Sequence, residues 1–224
     1  MQHQSADLEW REGGVPVSTR FDDPYFSLEN GLEETRHVFL AGNDLPARFR
    51  DGFHIGELGF GTGLNLLAAW QSWLDSGQSG QMQFTTFEAF PMTAEDMARG
   101  LAGFPVRNDL RDTLLGFIAA RQTEFETDSI RVRIVIGDAR ETLPSSQCGV
   151  GAWFLDGFSP AKNPELWGPD LMQAVYDNTA TGGTAATYTA AGAVRRALSD
   201  AGFVVERIPG YGRKRHMTIA RKGQ

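Results

Sequence analysis

Cysteine and histidine are scarce in this sequence, and long apolar runs are missing. The 224 residues include one cysteine, Cys148, and four scattered histidines. A single cysteine excludes an internal disulfide, and the histidines form no cluster with zinc-ligand spacing, so we expect no metal. No stretch approaches the roughly 18 continuous apolar residues of a membrane-spanning helix, and the polar N-terminus has no signal-peptide core. We therefore expect a cytoplasmic protein that does not bind membranes.

Internal repeats, low-complexity tracts and long Pro/Ser linkers are also missing, which leaves no obvious domain boundary. With 41% hydrophobic and 22% charged residues, the chain has the composition of a single globular domain. We expect residues 1–50 to form an N-terminal arm with short strands and a helix. This arm would pack on a core formed by residues 51–224.

Charge is distributed unevenly along the chain. The net charge is −7, but residues 191–224 hold eight Lys or Arg against two acidic residues, which leaves that segment at +6. An acidic body with a basic C-terminal edge can still contact phosphates locally. The basic edge is compatible with a nucleic-acid contact, and a solvated helix face with a charged tail explains the same charges equally well.

From Phe53 onward, short apolar runs alternate with helical segments, which is typical of a parallel sheet with crossover helices. Strands are predicted at residues 53–58, 83–88, 130–136, 152–156 and 183–188, and a final hairpin at 203–208 and 216–221. Helices are predicted at 64–74, 169–178 and 191–201, and over most of 92–121. The pattern predicts an α/β fold with a Rossmann-like, mostly parallel seven-stranded sheet.

A glycine-rich loop, Gly59-Phe-Gly-Thr-Gly63, follows the first predicted core strand and begins a helix. Backbone N–H groups and a helix N-terminus at this position face the ligand crevice of such sheets. The loop lacks the third glycine of the dinucleotide fingerprint, and Glu57 would repel a pyrophosphate but attract a cationic cofactor. The loop therefore favours S-adenosylmethionine over NAD. A tight turn without a ligand is the alternative.

Carboxylates follow the ends of the next three strands. Glu88 ends the second, where an acidic residue binds both hydroxyls of a ribose, and Asp138 follows the third, where an adenine amino group needs an acceptor. An exposed strand-end glutamate and a turn or cap aspartate are the alternatives. Asp156 ends the fourth strand beside Phe158 and two prolines. A carboxylate there can accept a hydrogen bond from a neutral amine and help to remove its proton.

Aromatic and basic residues near these positions are candidates for contact with a nucleic acid. Phe158 offers a ring to a base, and Lys162 offers a cation to a phosphate, with a solvated loop lysine as the alternative. The turn Gly210-Tyr-Gly-Arg-Lys-Arg215 joins the last two strands and mixes an aromatic ring with adjacent cations. Such a turn can follow a phosphate backbone and stack a base. A plain charged hairpin tip is the alternative.

Several motifs together resemble one known family. They are Phe21-Asp-Asp-Pro-Tyr-Phe-Ser27, Gly31-Leu-Glu-Glu-Thr-Arg36, Val38-Phe-Leu-Ala-Gly-Asn43, Gly59-Phe-Gly-Thr-Gly-Leu-Asn65, Phe87-Glu-Ala-Phe-Pro91, the segment 153–167 and Gly210-Tyr-Gly-Arg-Lys-Arg215. They span nearly the whole chain and closely resemble the tRNA 5-methylaminomethyl-2-thiouridine methyltransferase family, which is the methyltransferase half of MnmC and also occurs alone as MnmD. The run Asp156-Gly-Phe-Ser-Pro-Ala-Lys-Asn-Pro164 is the most specific of these motifs.

The resemblance implies a class I S-adenosylmethionine-dependent methyltransferase fold with a C-terminal antiparallel hairpin. It implies N-methylation of the aminomethyl group of 5-aminomethyl(-2-thio)uridine at the wobble position of tRNA, with Asp156 as the catalytic residue that positions the amine. The expected cofactor-binding residues are Glu57, Gly59, Gly61, Thr62, Gly63, Asn65, Glu88, Asp138 and Ala139. The expected contacts to the tRNA anticodon stem-loop are Tyr25, Phe26, Phe158, Lys162, Arg213, Lys214 and Arg215.

Two features depart from the family pattern. Many relatives carry Lys after the second-strand glutamate, where this chain has Ala89, so one cofactor-side contact is not matched. The FAD-dependent oxidase domain of bifunctional members has no counterpart here, so we expect no FAD and an aminomethyl substrate supplied by a separate oxidase or by upstream uridine-modification enzymes. Two alternatives stay open: a methyltransferase for an amino group of DNA, protein or a small amine, and a non-catalytic RNA-binding module.

Overall fold

A computed structural model describes residues 5–27 and 30–223 of the chain. The strands are β1 (Leu8–Arg11), β2 (Val15–Ser18), β3 (Asp23–Pro24), β4 (His54–Leu58), β5 (Met82–Glu88), β6 (Glu124–Glu126), β7 (Ile130–Ile136), β8 (Val150–Leu155), β9 (Thr179–Thr187), β10 (Val204–Pro209) and β11 (His216–Arg221). The α-helices are α1 (Gly31–Thr35), α2 (Leu64–Asp75), α3 (Ala94–Leu101), α4 (Asn108–Ala119), α5 (Ala139–Thr142), α6 (Pro169–Asp177) and α7 (Gly192–Asp200).

The main sheet has eight strands in the order β10-β11-β9-β8-β4-β5-β7-β6, so the expected number of seven is corrected. Strands β9, β8, β4, β5 and β7 are parallel, and β10 and β11 form the predicted antiparallel hairpin. The additional strand β6 pairs antiparallel with β7, and its Phe125 stacks on Phe117. Three residues are too few to show a strand periodicity, which is why the sequence pattern did not reveal β6.

Residues 5–27 and 30–50 contain three short strands and one α-helix, and we call this segment the arm. Strands β1, β2 and β3 make a separate three-stranded sheet. Asn30 caps α1 by accepting a hydrogen bond from the Glu33 backbone N–H at 3.2 Å. After α1 the chain turns towards the main sheet, where the fully buried Asn43 donates from Nδ2 to the Trp153 carbonyl of β8 at 3.2 Å. The arm is thereby fixed to the centre of the sheet.

The core lies on both faces of the parallel strands. Every residue of β8 is buried, as expected for a central strand covered by helices on both sides. Helix α2 packs apolar side chains such as Leu66 and Trp73 into one core cluster, and α6 and α7 contribute to the other. In the described part of the chain, no helix has the length and apolarity needed to cross a bilayer, and no group of three or more His, Cys, Asp or Glu residues could hold a metal ion.

Gly56 in β4 lies against the indole ring of Trp153. A Cβ at Gly56 would lie 2.6 Å from Cζ3 of this fully buried ring. Gly56→Ala should therefore lower the free energy of unfolding by roughly 1–3 kcal/mol, because the ring has no space to move. Gly116→Ala, in α4 with no heavy atom within 4 Å of the new Cβ, should raise it by about 0.5–1 kcal/mol. Urea denaturation measures both values. An unchanged free energy of unfolding for Gly56→Ala would contradict the packing argument.

Candidate active site

A cavity of about 760 Å³ opens at the carboxyl ends of the parallel strands. Its walls come from the loops after β4, β5, β7 and β8, from α1 of the arm and from the turn between β10 and β11. Open α/β sheets bind ligands at this edge, and the volume is in the range of small-molecule and cofactor sites. The cavity is therefore the candidate active site.

The glycine-rich loop between β4 and α2 approaches β8 closely. Gly59 has a φ of 91°, and a Cβ there would lie 2.5 Å from the backbone oxygen of Asp156, so this close approach requires glycine. Gly63 has a φ of 78° and packs towards the core, since a Cβ there would lie 2.9 Å from Leu114. The predicted loop residues that line the cavity are Gly59, Gly61 and Thr62.

Glu88 presents its carboxyl group in the cavity wall at the end of β5. Oε2 accepts hydrogen bonds from the backbone N–H groups of Phe60 at 3.0 Å and Gly61 at 3.1 Å, and Oε1 accepts from Phe90 at 2.7 Å. Burial raises the pKa of Glu88, and these backbone donors oppose the increase. These three donors occupy both acceptor positions of Oε2 and one of Oε1, so the fixed group has one position on Oε1 left for a ribose hydroxyl.

Asp138 caps a short helix at the end of β7. Its Oδ1 accepts a hydrogen bond from the Arg140 backbone N–H at 2.9 Å, which begins α5. The Arg140 guanidinium, 2.6 Å from Oδ2, lowers the pKa of Asp138. Asp138 is therefore a helix-cap residue, as the alternative interpretation of this aspartate predicts. Asp138 and Ala139 also line the cavity, and their contact with an adenine stays a prediction.

Asn65, in the first turn of α2, connects three polar side chains at the cavity wall. Its Nδ2 donates to Asp156 Oδ2 at 2.7 Å and to Glu57 Oε1 at 3.0 Å. Its Oδ1 accepts from the Thr35 hydroxyl at 2.7 Å. A single buried amide therefore joins the arm, β4 and the end of β8.

Glu57 lies behind Asn65, inside the sheet, with none of its surface exposed. Burial raises the pKa of Glu57 well above its usual range, which favours the neutral form. The expectation that Glu57 attracts a cationic cofactor from beside the loop is not supported by this placement. Its observed contact holds the Asn65 amide instead.

Asp156 follows β8 and continues the parallel ladder, because its backbone N–H donates to the Leu58 carbonyl at 3.0 Å. Burial raises the pKa of Asp156 to about 7, with a further increase from the negative charge of Glu34, while the Asn65 hydrogen bond and Lys214 lower it. Both protonation states are therefore populated near neutral pH. The carboxyl group lines the cavity and can both give and take a proton there.

The segment after Asp156 is held against the arm. The Phe158 ring stacks on Phe21 at 4.8 Å between centroids and meets Tyr25 edge-on at 4.9 Å. The Ser159 backbone N–H donates to Asp23 Oδ2 at 2.8 Å. The arm and the strand-end segment thus form one wall, which brings the predicted Tyr25 and Phe158 together beside Asp156.

Two of the predicted phosphate contacts lie elsewhere. Lys162 binds the arm, with Nζ 3.0 Å from Asp22 Oδ2 and 3.7 Å from Asp23 Oδ1. Its expected role as a phosphate contact is not supported, because acidic residues of the arm already neutralise it. Arg215 is exposed beside the cavity rather than in its wall. The predicted Phe26, Arg213 and Lys214 do line the cavity.

Three further residues line the cavity that are not among the predicted site residues: Glu34, Thr35 and Tyr188. Glu34 Oε1 lies 2.6 Å from Lys214 Nζ, and the Lys214 ammonium lies 4.1 Å from the centroid of the Tyr188 ring. The Tyr188 hydroxyl donates to the Gly157 carbonyl at 2.7 Å.

The position of Tyr188 in the sequence is one indication of a site residue, because Tyr188 directly follows β9 just as Asp156 directly follows β8. Glu34 and Thr35 belong to the motif Gly31–Arg36, but the motif does not indicate that either side chain reaches the cavity. Their position depends on how the arm turns back onto the sheet, which a local motif does not specify.

The raised pKa of Asp156 makes stability depend on pH. Folding raises the pKa of this carboxyl group from 3.8 to about 7. As pH increases between these values, the unfolded state is favoured progressively, because the group ionises in the unfolded chain and stays protonated in the folded one. Compared with Asp156→Asn, the unmodified chain should lose on the order of 2–4 kcal/mol of unfolding free energy between about pH 4 and about pH 7. Urea denaturation across this range measures the difference. The exposed Asp200→Asn is the control, and a pH-independent difference for Asp156 would contradict the assignment.

Comparison with known proteins identifies the family of the chain. A family model described as S-adenosyl-L-methionine-dependent methyltransferase matches residues 105–223. The bifunctional tRNA 5-methylaminomethyl-2-thiouridine biosynthesis protein MnmC of Pseudomonas aeruginosa (strain UCBPP-PA14) is 46% identical over 96% of this chain and 34% of its own length. MnmC of Marinomonas sp. (strain MWYL1) is 41% identical over 97% of this chain and 34% of its own length. The chain thus spans about a third of these curated relatives.

Solved structures show the same fold. The crystal structure of MnmC2 from Aquifex aeolicus has a TM-score of 0.78 and 25% identity, covering 98% of this chain and 71% of that one. Spermidine synthase from Thermotoga maritima, at 15% identity and a TM-score of 0.57 over 100% of this chain and 71% of its own, shares the fold alone. The resemblance of the motifs to the MnmC methyltransferases is confirmed, and the chain belongs to the S-adenosyl-L-methionine-dependent methyltransferase family.

Proposed function

We propose that this chain transfers a methyl group from S-adenosylmethionine to the aminomethyl nitrogen of 5-aminomethyl(-2-thio)uridine at the wobble position of tRNA. The observation that carries the proposal is the Asp156 carboxyl group, fixed by Asn65 in the cavity wall and poised between two protonation states. The names of relatives that are 41% and 46% identical to this chain refer to biosynthesis of the methylated nucleoside.

The donor set of the cavity fits S-adenosylmethionine. The Glu88 carboxylate can accept from a ribose hydroxyl through Oε1, while Gly59, Gly61 and Thr62 bound the space beside it. When bound, S-adenosylmethionine supplies an electrophilic methyl group on a positively charged sulfur. Carboxyl groups at the ends of β5 and β8 favour a cationic donor electrostatically.

The acceptor amine must be neutral to react, because an ammonium group has no lone pair. For an amine with a lysine-like pKa of about 10.4, deprotonation at pH 7 costs roughly 4.6 kcal/mol. A carboxylate whose pKa is about 7 can accept this proton at less cost than an ordinary aspartate. It can also orient the lone pair of the amine through a hydrogen bond. Asn65 fixes one oxygen of the carboxyl group, which limits the directions that this hydrogen bond can take.

The rim of the cavity has the features of a single-stranded RNA site. Tyr25 and Phe158 offer rings to a base that leaves the anticodon stack, and Arg213 in the β10–β11 turn offers a cation to the backbone. Methyl transfer is not a redox step, so the proposal requires no FAD in this chain. A separate FAD-dependent oxidase or the upstream uridine-modification enzymes would supply the aminomethyl group.

Labelled S-adenosylmethionine and tRNA from a strain that lacks this methylation test the function. The chain should place label in the wobble nucleoside, and Asp156→Ala should reduce transfer by at least about 10²-fold, because it loses the group that binds and deprotonates the amine. Digestion of the tRNA to nucleosides locates the label, and calorimetry should show that the affinity of Asp156→Ala for S-adenosylmethionine changes by no more than a few-fold, because Glu88 still faces the cofactor.

The exposed Asp200→Ala is the matched control and should transfer label normally. Absence of label from the wobble nucleoside with the unmodified chain would refute the proposal. Label in DNA, protein or a small amine instead would support the alternative acceptors. Cofactor binding without any turnover would support the RNA-binding module.

Glu88→Gln should weaken binding of S-adenosylmethionine by about tenfold or more, because a charge-assisted acceptor at the ribose hydroxyls becomes a neutral amide. Calorimetric titration measures the change in Kd. Glu206→Gln, an exposed substitution in β10, is the matched control and should leave the Kd unchanged. An unaltered Kd for the Glu88 variant would remove this residue from the cofactor site.

A further inference from the structure

The ammonium group of Lys214 lies in a setting that would suit any alkylammonium ion. Its Nζ is 2.6 Å from Glu34 Oε1 and 4.1 Å from the centroid of the Tyr188 ring. A carboxylate combined with an aromatic face is a common way for proteins to bind organic cations. Lys214 therefore marks the position of a cation site within the cavity wall.

The two partners of this ion pair differ in exposure. The Glu34 side chain is 11% exposed, whereas the Lys214 side chain is 43% exposed and belongs to the surface turn Gly210–Arg215. Glu34 thus has a fixed position in α1, while Lys214 can leave towards solvent. A carboxylate as buried as Glu34 is costly without a cation, which favours the binding of another cation when Lys214 leaves.

The cation site lies next to the reacting end of the cavity. Thr35, the neighbour of Glu34 in α1, donates to Asn65 Oδ1 at 2.7 Å, and Asn65 in turn donates to Asp156 Oδ2 at 2.7 Å. Burial is the main cause of the raised pKa of Asp156, and Glu34 raises it further while Lys214 lowers it. Two hydrogen bonds and a direct electrostatic effect therefore connect the cation site with Asp156.

We propose that Glu34 and Tyr188 form an ammonium subsite that receives the protonated aminomethyl group of the substrate, and that Lys214 fills this subsite until the substrate arrives. The identity of the ligand rests on the proposed function. Exchange of one ammonium for another keeps Glu34 paired and frees Lys214 for a phosphate of the incoming tRNA. A uridine with a neutral or anionic group at this position cannot replace Lys214, so the subsite selects the amine.

A purely structural role for the Glu34–Lys214 pair makes a different prediction. If Glu34 only holds the β10–β11 turn, Glu34→Gln should not raise KM for the tRNA further once Lys214→Met has removed its partner, and its electrostatic effect on Asp156 should change kcat instead. If Glu34 binds the substrate, Glu34→Gln in the Lys214→Met background should still lower kcat/KM for tRNA carrying 5-aminomethyluridine by about tenfold or more, mainly through KM. The Kd of S-adenosylmethionine should stay unchanged in both variants.

Glu33→Gln is the matched control, since Glu33 is the adjacent glutamate and pairs with Arg36 on the exposed side of α1. This variant should retain the kcat/KM of the unmodified chain. The subsite is supported if Glu34→Gln lowers kcat/KM through KM by the same factor in the unmodified chain and in the Lys214→Met chain. It is overturned if Glu34→Gln leaves KM unchanged in the Lys214→Met background.

Binding of n-butylammonium, followed by saturation-transfer NMR, tests the subsite without tRNA. Lys214→Met should show stronger transfer to n-butylammonium than the unmodified chain, and the added Glu34→Gln should abolish it, with neutral n-butanol as the reference. Equal transfer in the single and double variants overturns the subsite. Ammonium binding that depends on Glu34, in a chain that does not methylate the tRNA, supports the subsite while refuting the proposed function.

Discussion

The side-chain amide of Asn65 holds together two carboxyl groups that come from neighbouring parallel strands. Glu57 lies in β4, and Asp156 follows β8, whose register sets Leu58 opposite Leu155, so both acids reach the same edge of the sheet. Two ionised carboxylates in a buried setting would repel each other strongly. Burial instead raises the pKa of both groups, and one amide donates to each of them. The acid that can exchange a proton with the cavity is then Asp156, because Glu57 lies deeper.

This arrangement constrains the surrounding chain. The loop after β4 must pass within contact distance of the Asp156 backbone, which only Gly59 permits. The amide must also be oriented, and Thr35 from the arm binds its oxygen at 2.7 Å. The arm is therefore part of the cavity wall: it orients the amide and packs Phe21 on Phe158 beside the Asp156 carboxyl group.

Features that depend on local pattern could be predicted from the sequence, and features that depend on distant pairing could not. The parallel strands contain short apolar segments that alternate with helical ones, so the sequence predicts their approximate positions and the carboxylates that follow β5, β7 and β8. Glu34 and Lys214 are 180 positions apart, and Lys162 and Asp22 are 140 apart. No periodicity or motif specifies such ion pairs. The same limit applies to Lys162, for which the sequence predicts a phosphate contact although acidic residues of the arm neutralise this lysine.

The basic C-terminal edge illustrates why counting charges is a poor guide to RNA affinity. A cation that is already paired contributes little attraction to a phosphate unless its carboxylate partner gains another cation. Lys214 is such a cation, because Glu34 neutralises it in the cavity wall. If the substrate ammonium replaces it, as we propose, Lys214 becomes available to the phosphate backbone only when the correct nucleoside enters. RNA without that amine would meet a neutral ion pair, so recognition of the modified base and attraction of the backbone would be one coupled event.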